Sequence, residues 1–309
     1  MNFVISMDLH RWGYSCLAEN RQPPDGVARQ LLGQGHKFIH VDMDSYFVAV
    51  ELLDAPWLRE RPVAVGGKAT DRGVISTSNY IARRYGVRSG MATATAERLC
   101  PGLVLLPVRF ERYEAVTRRL DVIFRRYTSN VEFLSLDEAT LDVTGQVYCN
   151  GSATYMANRI RASIEQKLHL TASAGVAPLK YLAKMASEVN KPNGQFVIAP
   201  HQVQAFLKNL DIRKIPGVGP KTWAVLQALG CTKCADVTDE MIPALLRHLG
   251  AHGFYVWERC RGQESYEGKP GAVQSLGVEH TLPSDCNDFA CCLRAVSYTH
   301  LTLPTNREV

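Results

Sequence analysis

Apolar, strand-forming runs that end in carboxylates limit the folds open to this chain, and it contains two of them. Lys37-Phe38-Ile39 enters His40-Val41-Asp42-Met43-Asp44, and Ser45-Tyr46-Phe47-Val48-Ala49-Val50-Glu51-Leu52-Leu53 follows with a helical pattern. That order places Asp42 at the end of a core strand. Val131-Glu132-Phe133-Leu134 and Thr140-Leu141-Asp142-Val143 are two β-prone runs too close together for anything but a tight hairpin, with Asp137 and Glu138 at its tip. Three carboxylates gathered at strand ends stay ionised together only beside a compensating cation, and hard divalent cations prefer oxygen ligands. The pattern therefore points to a Mg²⁺ site that handles phosphates; two solvated acidic turns are the competing reading.

At 309 residues the chain has room for two or more domains, and 35 Lys and Arg against 30 Asp and Glu give a formal charge of +5. A mildly basic balance suits a phosphate-bearing partner without demanding one. No apolar run approaches the roughly 20 residues of a membrane span, and Asp8, His10 and Arg11 interrupt any secretory signal. The nine cysteines show no disulfide framework and read as reduced thiols of a cytoplasmic protein. Cys231-x-x-Cys234 ahead of His248-x-x-x-His252 fits a zinc-finger spacing formally, but the residues between are acidic and no basic recognition helix is present.

Further motifs follow in a fixed order. They are Gly73-Val74-Ile75-Ser76-Thr77-Ser78-Asn79-Tyr80-Ile81-Ala82-Arg83-Arg84-Tyr85-Gly86-Val87-Arg88-Ser89, then Leu134-Ser135-Leu136-Asp137-Glu138-Ala139, Ser173-Ala174-Gly175-Val176-Ala177-Pro178 and Asn190-Lys191-Pro192-Asn193-Gly194-Gln195. With the His40 to Phe47 stretch, these closely resemble the Y-family translesion DNA polymerases of the DinB branch, from about Phe38 to about Cys292.

The resemblance implies an α+β right hand: a palm with an antiparallel sheet backed by helices, small fingers, a helical thumb with a helix-hairpin-helix, and an incomplete little finger. On it, residues 36–44 and 108–199 are palm, 45–107 fingers and 200–264 thumb, with the helix-hairpin-helix at about 206–230. Residues 1–35 read as a flexible extension, 265–274 as a polar linker, 275–296 as the start of a truncated little finger and 297–309 as a tail unlike the family. The residue pattern itself predicts helices over about Arg109 to Tyr127, Ser152 to Lys167 and Leu179 to Val189, and a strand over Thr171 to Val176. Ile215-Pro216-Gly217-Val218-Gly219-Pro220-Lys221 lies between two helical patterns, where glycines let backbone amides approach phosphate oxygens at a helix start.

In the family, the residues matching Asp42, Asp137 and Glu138 are catalytic and hold two Mg²⁺ ions, assisted by the backbone carbonyl matching Met43. Spacing alone leaves Asp44 an equal candidate, two residues from Asp42 on one strand face, and the resemblance favours Asp42. Tyr80 and Arg83 stand i, i+3 on one helical face and, with Lys191, match family residues that contact the incoming nucleotide's phosphates; Arg84 is left unassigned. Phe47 matches the steric gate that excludes a 2′-hydroxyl, with Tyr46 its nearest competitor. Gly217, Gly219 and Lys221 are the expected DNA-binding residues of the thumb.

The function implied is template-directed translesion synthesis by a monomer, of low fidelity because no exonuclease motif is present. Its partners are primer–template DNA and deoxynucleoside triphosphates; the clamp-binding peptide that ends such proteins is not found. A nucleotidyl cyclase would share a two-metal sheet but not the fingers motif or the helix-hairpin-helix. A catalytically crippled DNA-binding fragment, lacking its little finger, is the alternative.

Overall fold

A computed structural model describes residues 35–265 together with 282, 285, 288–290, 292 and 293. The expected N-terminal extension, linker, little-finger start and tail lie outside the described residues, apart from these few positions. The elements are β1 (Phe38–Met43), α1 (Tyr46–Asp54), β2 (Val63–Gly66), β3 (Ile75–Ser78), α2 (Tyr80–Arg84), α3 (Thr93–Leu99), β4 (Val104–Leu106), α4 (Phe110–Phe124), β5 (Val131–Phe133) and β6 (Glu138–Asp142). They continue with α5 (Ala153–Leu168), β7 (Ala172–Ala177), α6 (Lys180–Val189), β8 (Gln195–Val197), α7 (Val203–Lys208), α8 (Pro220–Ala228), α9 (Ile242–Leu249) and α10 (Ala251–Cys260). Among the described residues no helix is long and apolar enough to cross a membrane.

The chain divides into two compact units: Ser45–Phe110, and the residues up to Asp44 joined to the chain from Glu111 onward. The larger unit is built on a five-stranded sheet in the order β5-β6-β1-β7-β8. Phe38 to Met43 is buried along its whole length because β1 has neighbours on both sides, β6 and β7, each antiparallel to it. The sheet is antiparallel, the arrangement expected of the palm, except that β8 runs parallel to β7. That pairing is possible because α6 forms the crossover between them, which a parallel connection needs.

Helices α5 and α6 pack against β1 and β7. In α5, Met156, Ala157, Ile160 and Ile164 recur at helical spacing and are buried, and Ser152 caps the helix by accepting a hydrogen bond from the Tyr155 N–H. In α6 the approach to the sheet is closest at Gly175, where a side-chain Cβ would come within 1.9 Å of the Ala183 carbonyl oxygen. One apolar cluster joins β1 and α6 to the helices after them, through Phe38, Leu182, Ala186, Leu207, Ile212, Leu226, Leu245 and Val256. Each Phe, Leu, Ile or Val among them, fully buried, contributes about 1.5–3 kcal/mol over exposure.

The Ser45–Phe110 unit has its own three-stranded sheet, β3-β2-β4, with β2 antiparallel to β3 and parallel to β4. Ala64, Ile75, Ala82, Val87, Ala96 and Cys100 form its core. The buried Glu51 of α1 is neutralised by Arg109, which donates from Nε to Oε1 at 3.0 Å and from Nη2 to Oε2.

Candidate active site

The larger unit's site is set by strand register. Asp42, at the end of β1, lies directly opposite Glu138, the first residue of β6. Glu138 is thus in the strand rather than at the hairpin tip, and Asp137 stands in the turn just before it. The Met43 N–H donates to the Asp137 carbonyl at 3.0 Å, fixing the turn to β1. Ser135 shapes that turn: its hydroxyl donates to Asp137 Oδ1 at 2.5 Å and accepts from the Glu138 N–H at 3.2 Å.

Two lysines face the carboxylates. Lys191 Nζ lies 2.7 Å from Asp42 Oδ1 and 2.6 Å from Glu188 Oε1, and Lys184 Nζ donates to Glu138 Oε2. Burial pushes the Asp42 carboxyl up to about 7 despite the opposing pull of Lys191, with Glu138 and Asp137 adding to the rise. Asp137 is raised as well, chiefly by burial. Burial works against the charge on Lys191, but Asp42 and Glu188 more than offset it, and its pKa is raised.

His40 sits beneath the carboxylates, fully buried, with Nδ1 2.9 Å from Thr140 Oγ1 and Nε2 3.7 Å from Glu138 Oε2. Burial first, then Lys184 and Lys191, hold it down at about 3, so it is a neutral imidazole. Among the described residues, His40, Asp42 and Glu138 form a group whose ligand atoms lie within 4.8 Å of one another; Cys231, Cys234, His248 and His252 form no such group. His252 places Nε2 3.1 Å from the Gly217 carbonyl oxygen.

The donor set suits a hard divalent cation. Desolvated carboxylates on adjoining strand ends, held beside ammonium groups, leave oxygen ligands that gain most from a compact positive charge. Asp44 follows the last residue of β1 and precedes Ser45, which turns the chain at φ 44°. Asp44 Oδ1 accepts from the Ser173 hydroxyl and Oδ2 from the Asn193 N–H, each at 2.8 Å.

Phe47, Tyr80 and Arg83 belong to the Ser45–Phe110 unit. Tyr46 is 1 % exposed, whereas Phe47 is half-buried, its ring edge-on to Phe110 at 6.0 Å. Burial thus commits Tyr46 to the core, while part of the Phe47 ring is exposed. Asn79 caps α2 by accepting from the Ala82 N–H. The Arg83 guanidinium stacks over the Tyr80 ring at 4.7 Å and donates from Nε to the Ser78 carbonyl, while Arg84 is exposed.

In the helix-hairpin-helix, Gly217 has φ 92°, and a Cβ there would press on His252 and Tyr255 at 3.2 Å. Tyr255 holds the turn by donating from its hydroxyl to the Pro216 carbonyl at 3.1 Å. Gly219 is the N-cap of α8 and has open space where a side chain would be; Pro220 follows, and Lys221 is exposed in the first turn.

The sequence is matched by the impB/mucB/samB family over residues 41–188 and by the IMS family HHH motif over residues 201–230. It is 52% identical to the DNA polymerase IV of Yersinia pestis (strain Pestoides F) over 270 residues, covering 87% of this chain and 77% of that protein. The chain belongs to the DinB branch of the Y-family DNA polymerases. A second member, the DNA polymerase IV of Pectobacterium atrosepticum, is 54% identical over 257 residues, 83% of this chain and 73% of that one. Among solved Y-family structures, a chimera of Dbh and Dpo4 superposes with a TM-score of 0.77 at 32% identity, covering 85% of this chain and 78% of that chain. DinB from Sulfolobus solfataricus does so with a TM-score of 0.68 at 30% identity, covering 86% and 80%. The α+β architecture is that of the Y family, and the activity class is DNA-directed DNA polymerase.

Ser135, His40 and Lys184 were not singled out from the sequence. Ser135 carried a local signal, a hydroxyl two residues before an Asp in a turn. Lys184 carried none, being 46 residues from Glu138.

Proposed function

We propose that this DinB-branch chain performs template-directed translesion synthesis as a monomer, joining deoxynucleotides to a primer 3′-hydroxyl with two Mg²⁺ ions and no proofreading. The observation that carries the reading is the register pairing of Asp42 with Glu138, with Asp137 tied by its carbonyl to the same strand end. Asp42, Asp137 and Glu138, with the Met43 carbonyl, would hold the ions. When bound, such ions lower the hydroxyl pKa and stabilise the leaving pyrophosphate.

The remaining roles fall to this chain's own side chains. Lys191 offers a point charge to the triphosphate, and Tyr80 and Arg83 offer a hydroxyl and a guanidinium to phosphate oxygens. Phe47 excludes a ribose 2′-hydroxyl by bulk. Gly217, Gly219 and Lys221 bind duplex phosphates without reading sequence, through backbone amides, the positive end of α8 and a side-chain charge. Palm, fingers and thumb roles are assigned to 36–44 with 108–199, 45–107 and 200–264. A cytoplasmic location, alongside the chromosome, is part of the same reading.

Primer extension with Mg²⁺ tests it, on matched templates with and without a blocking base lesion. The proposal expects addition opposite both. No addition on the undamaged template would reduce the chain to a DNA-binding role, and addition there with a complete stop at every lesion would remove the translesion part.

A further inference from the structure

The segment from Lys191 to Gly194, between α6 and β8, is held from two directions, and one of its holders is itself fixed. From the end of β1, Asp44 Oδ2 accepts the Asn193 N–H at 2.8 Å. From α5, Arg161 Nη2 donates to both the Asn193 carbonyl and its Oδ1, the latter at 2.7 Å, while Nε donates to the Ala172 carbonyl at 2.9 Å. From β7, the Ser173 hydroxyl donates to Asp44 Oδ1 at 2.8 Å, so the clamp's acidic member is itself fixed. The loop is also tight within itself. A Cβ at Gly194 would lie 1.8 Å from the Asn190 carbonyl oxygen, and Asn190 Nδ2 donates to the Gln195 carbonyl at 2.8 Å.

Asn193 takes part in every one of the first two contacts, and its backbone is in the left-handed region at φ 50°. Two residues earlier, Lys191 extends a flexible four-carbon stem whose ammonium reaches Asp42. A long side chain delivers its charge reproducibly only when its backbone is fixed, and a misplacement of about 1 Å at a reacting centre can cost about 10²-fold. Arg161 is suited to the task because its planar fork spans the Ala172 and Asn193 oxygens at once, which a lysine could not do.

We propose that Asp44 and Arg161 are positioning residues for nucleotide binding: acting through Asn193, they set where Lys191 presents its charge. The inference rests on the proposed role of Lys191 toward the triphosphate. It gives Asp44, the carboxylate bonded to Ser173 and Asn193, a task distinct from that of Asp42.

The test is a rapid-quench measurement of nucleotide Kd and maximal incorporation rate on primer–template DNA, with DNA affinity and thermal melting followed in parallel. Arg161→Met and Asp44→Asn should each raise nucleotide Kd by about tenfold, the scale of one lost charge-assisted hydrogen bond, with DNA affinity unchanged. Asp44→Asn keeps the volume and serves if Arg161→Met does not fold. Arg161→Lys should resemble Arg161→Met. In a Lys191→Ala background, itself raised in nucleotide Kd, adding Arg161→Met should change Kd by less than about twofold, because both act through one ammonium.

An unchanged Kd in both single variants, full recovery with Arg161→Lys, or a full tenfold effect persisting without Lys191 would each overturn the inference. If Lys191→Ala leaves Kd unaltered, the assignment of Lys191 to the triphosphate fails and the inference falls with it. If Lys191→Ala raises Kd but the clamp variants do not, the assignment stands and only the inference fails.

Discussion

Lys191 Nζ and Asp42 Oδ1 are 2.7 Å apart, so an ammonium from the α6–β8 loop already occupies one oxygen of the carboxylate proposed to bind metal. The pairing sets a positive charge beside a desolvated acidic cluster. Leaving a buried carboxylate unpaired would cost several kcal/mol, and the ammonium offsets part of that.

The same contact makes lysine and metal competitors for Asp42. Lys191→Ala should therefore bind Mn²⁺ or Mg²⁺ several-fold more tightly than the parent in the absence of DNA and nucleotide. Calorimetric titration, or the loss of the free Mn²⁺ resonance signal, measures this directly. Unchanged or weaker binding would mean that Lys191 does not compete with the ion.

Phe47→Val should let ribonucleotides in, because Phe47 is half-buried against Phe110 whereas Tyr46 is committed to the core. The quantity to compare is the ratio of ribonucleotide to deoxyribonucleotide incorporation efficiency in parent and variant, and a rise of about tenfold or more is expected, the loss of one to three kcal/mol of discrimination. An unaltered ratio would take the gate away from Phe47.

Lys221→Ala should weaken binding to duplexes of different sequence equally, since an exposed charge at the start of α8 can reach phosphate without reading a base. The log–log dependence of affinity on salt should flatten by about 0.9, one phosphate's worth. A sequence-selective loss, or an unmoved slope, would place Lys221 elsewhere.

Gly175→Ala should destabilise the larger unit by about 3 kcal/mol or more, because the new methyl would press on backbone atoms of α6 that cannot move aside cheaply. Urea unfolding checks it. A change below about 1 kcal/mol would show that α6 can retreat from β7 without loss, and then Lys184 need not stay beside Glu138.

Local patterns were legible in the sequence, and long-range contacts were not. Apolar spacing in α4, α5 and α6 gave helices ending within a few residues of the observed termini, because a buried helical face leaves a periodic trace. Asp42 beside Glu138 followed from two strand ends rich in carboxylate. The parallel pairing of β8 and the three-stranded sheet of β2, β3 and β4 were missed, since strands of three or four residues carry too little alternation to register. Arg161 reaches Asn193 across 32 positions of sequence, and no spacing rule foretells such a contact. Nor does spacing foretell that Asp44 bonds Ser173 and Asn193, more than a hundred positions away.

Catalysis is assigned to the carboxylates at the ends of β1 and β6, and Asp137 tests that assignment most directly. It lies in a turn held by Ser135 and by the Met43 N–H, so its side chain can be removed without emptying the core. Single-nucleotide primer extension with Mg²⁺ should fall by more than about 10³-fold in Asp137→Ala, beyond the roughly 10²- to 10³-fold cost of deleting one transition-state donor, while the melting temperature stays near that of the parent. Extension within tenfold of the parent, from a variant that is folded and binds DNA, would contradict the assignment of this cluster as the catalytic centre.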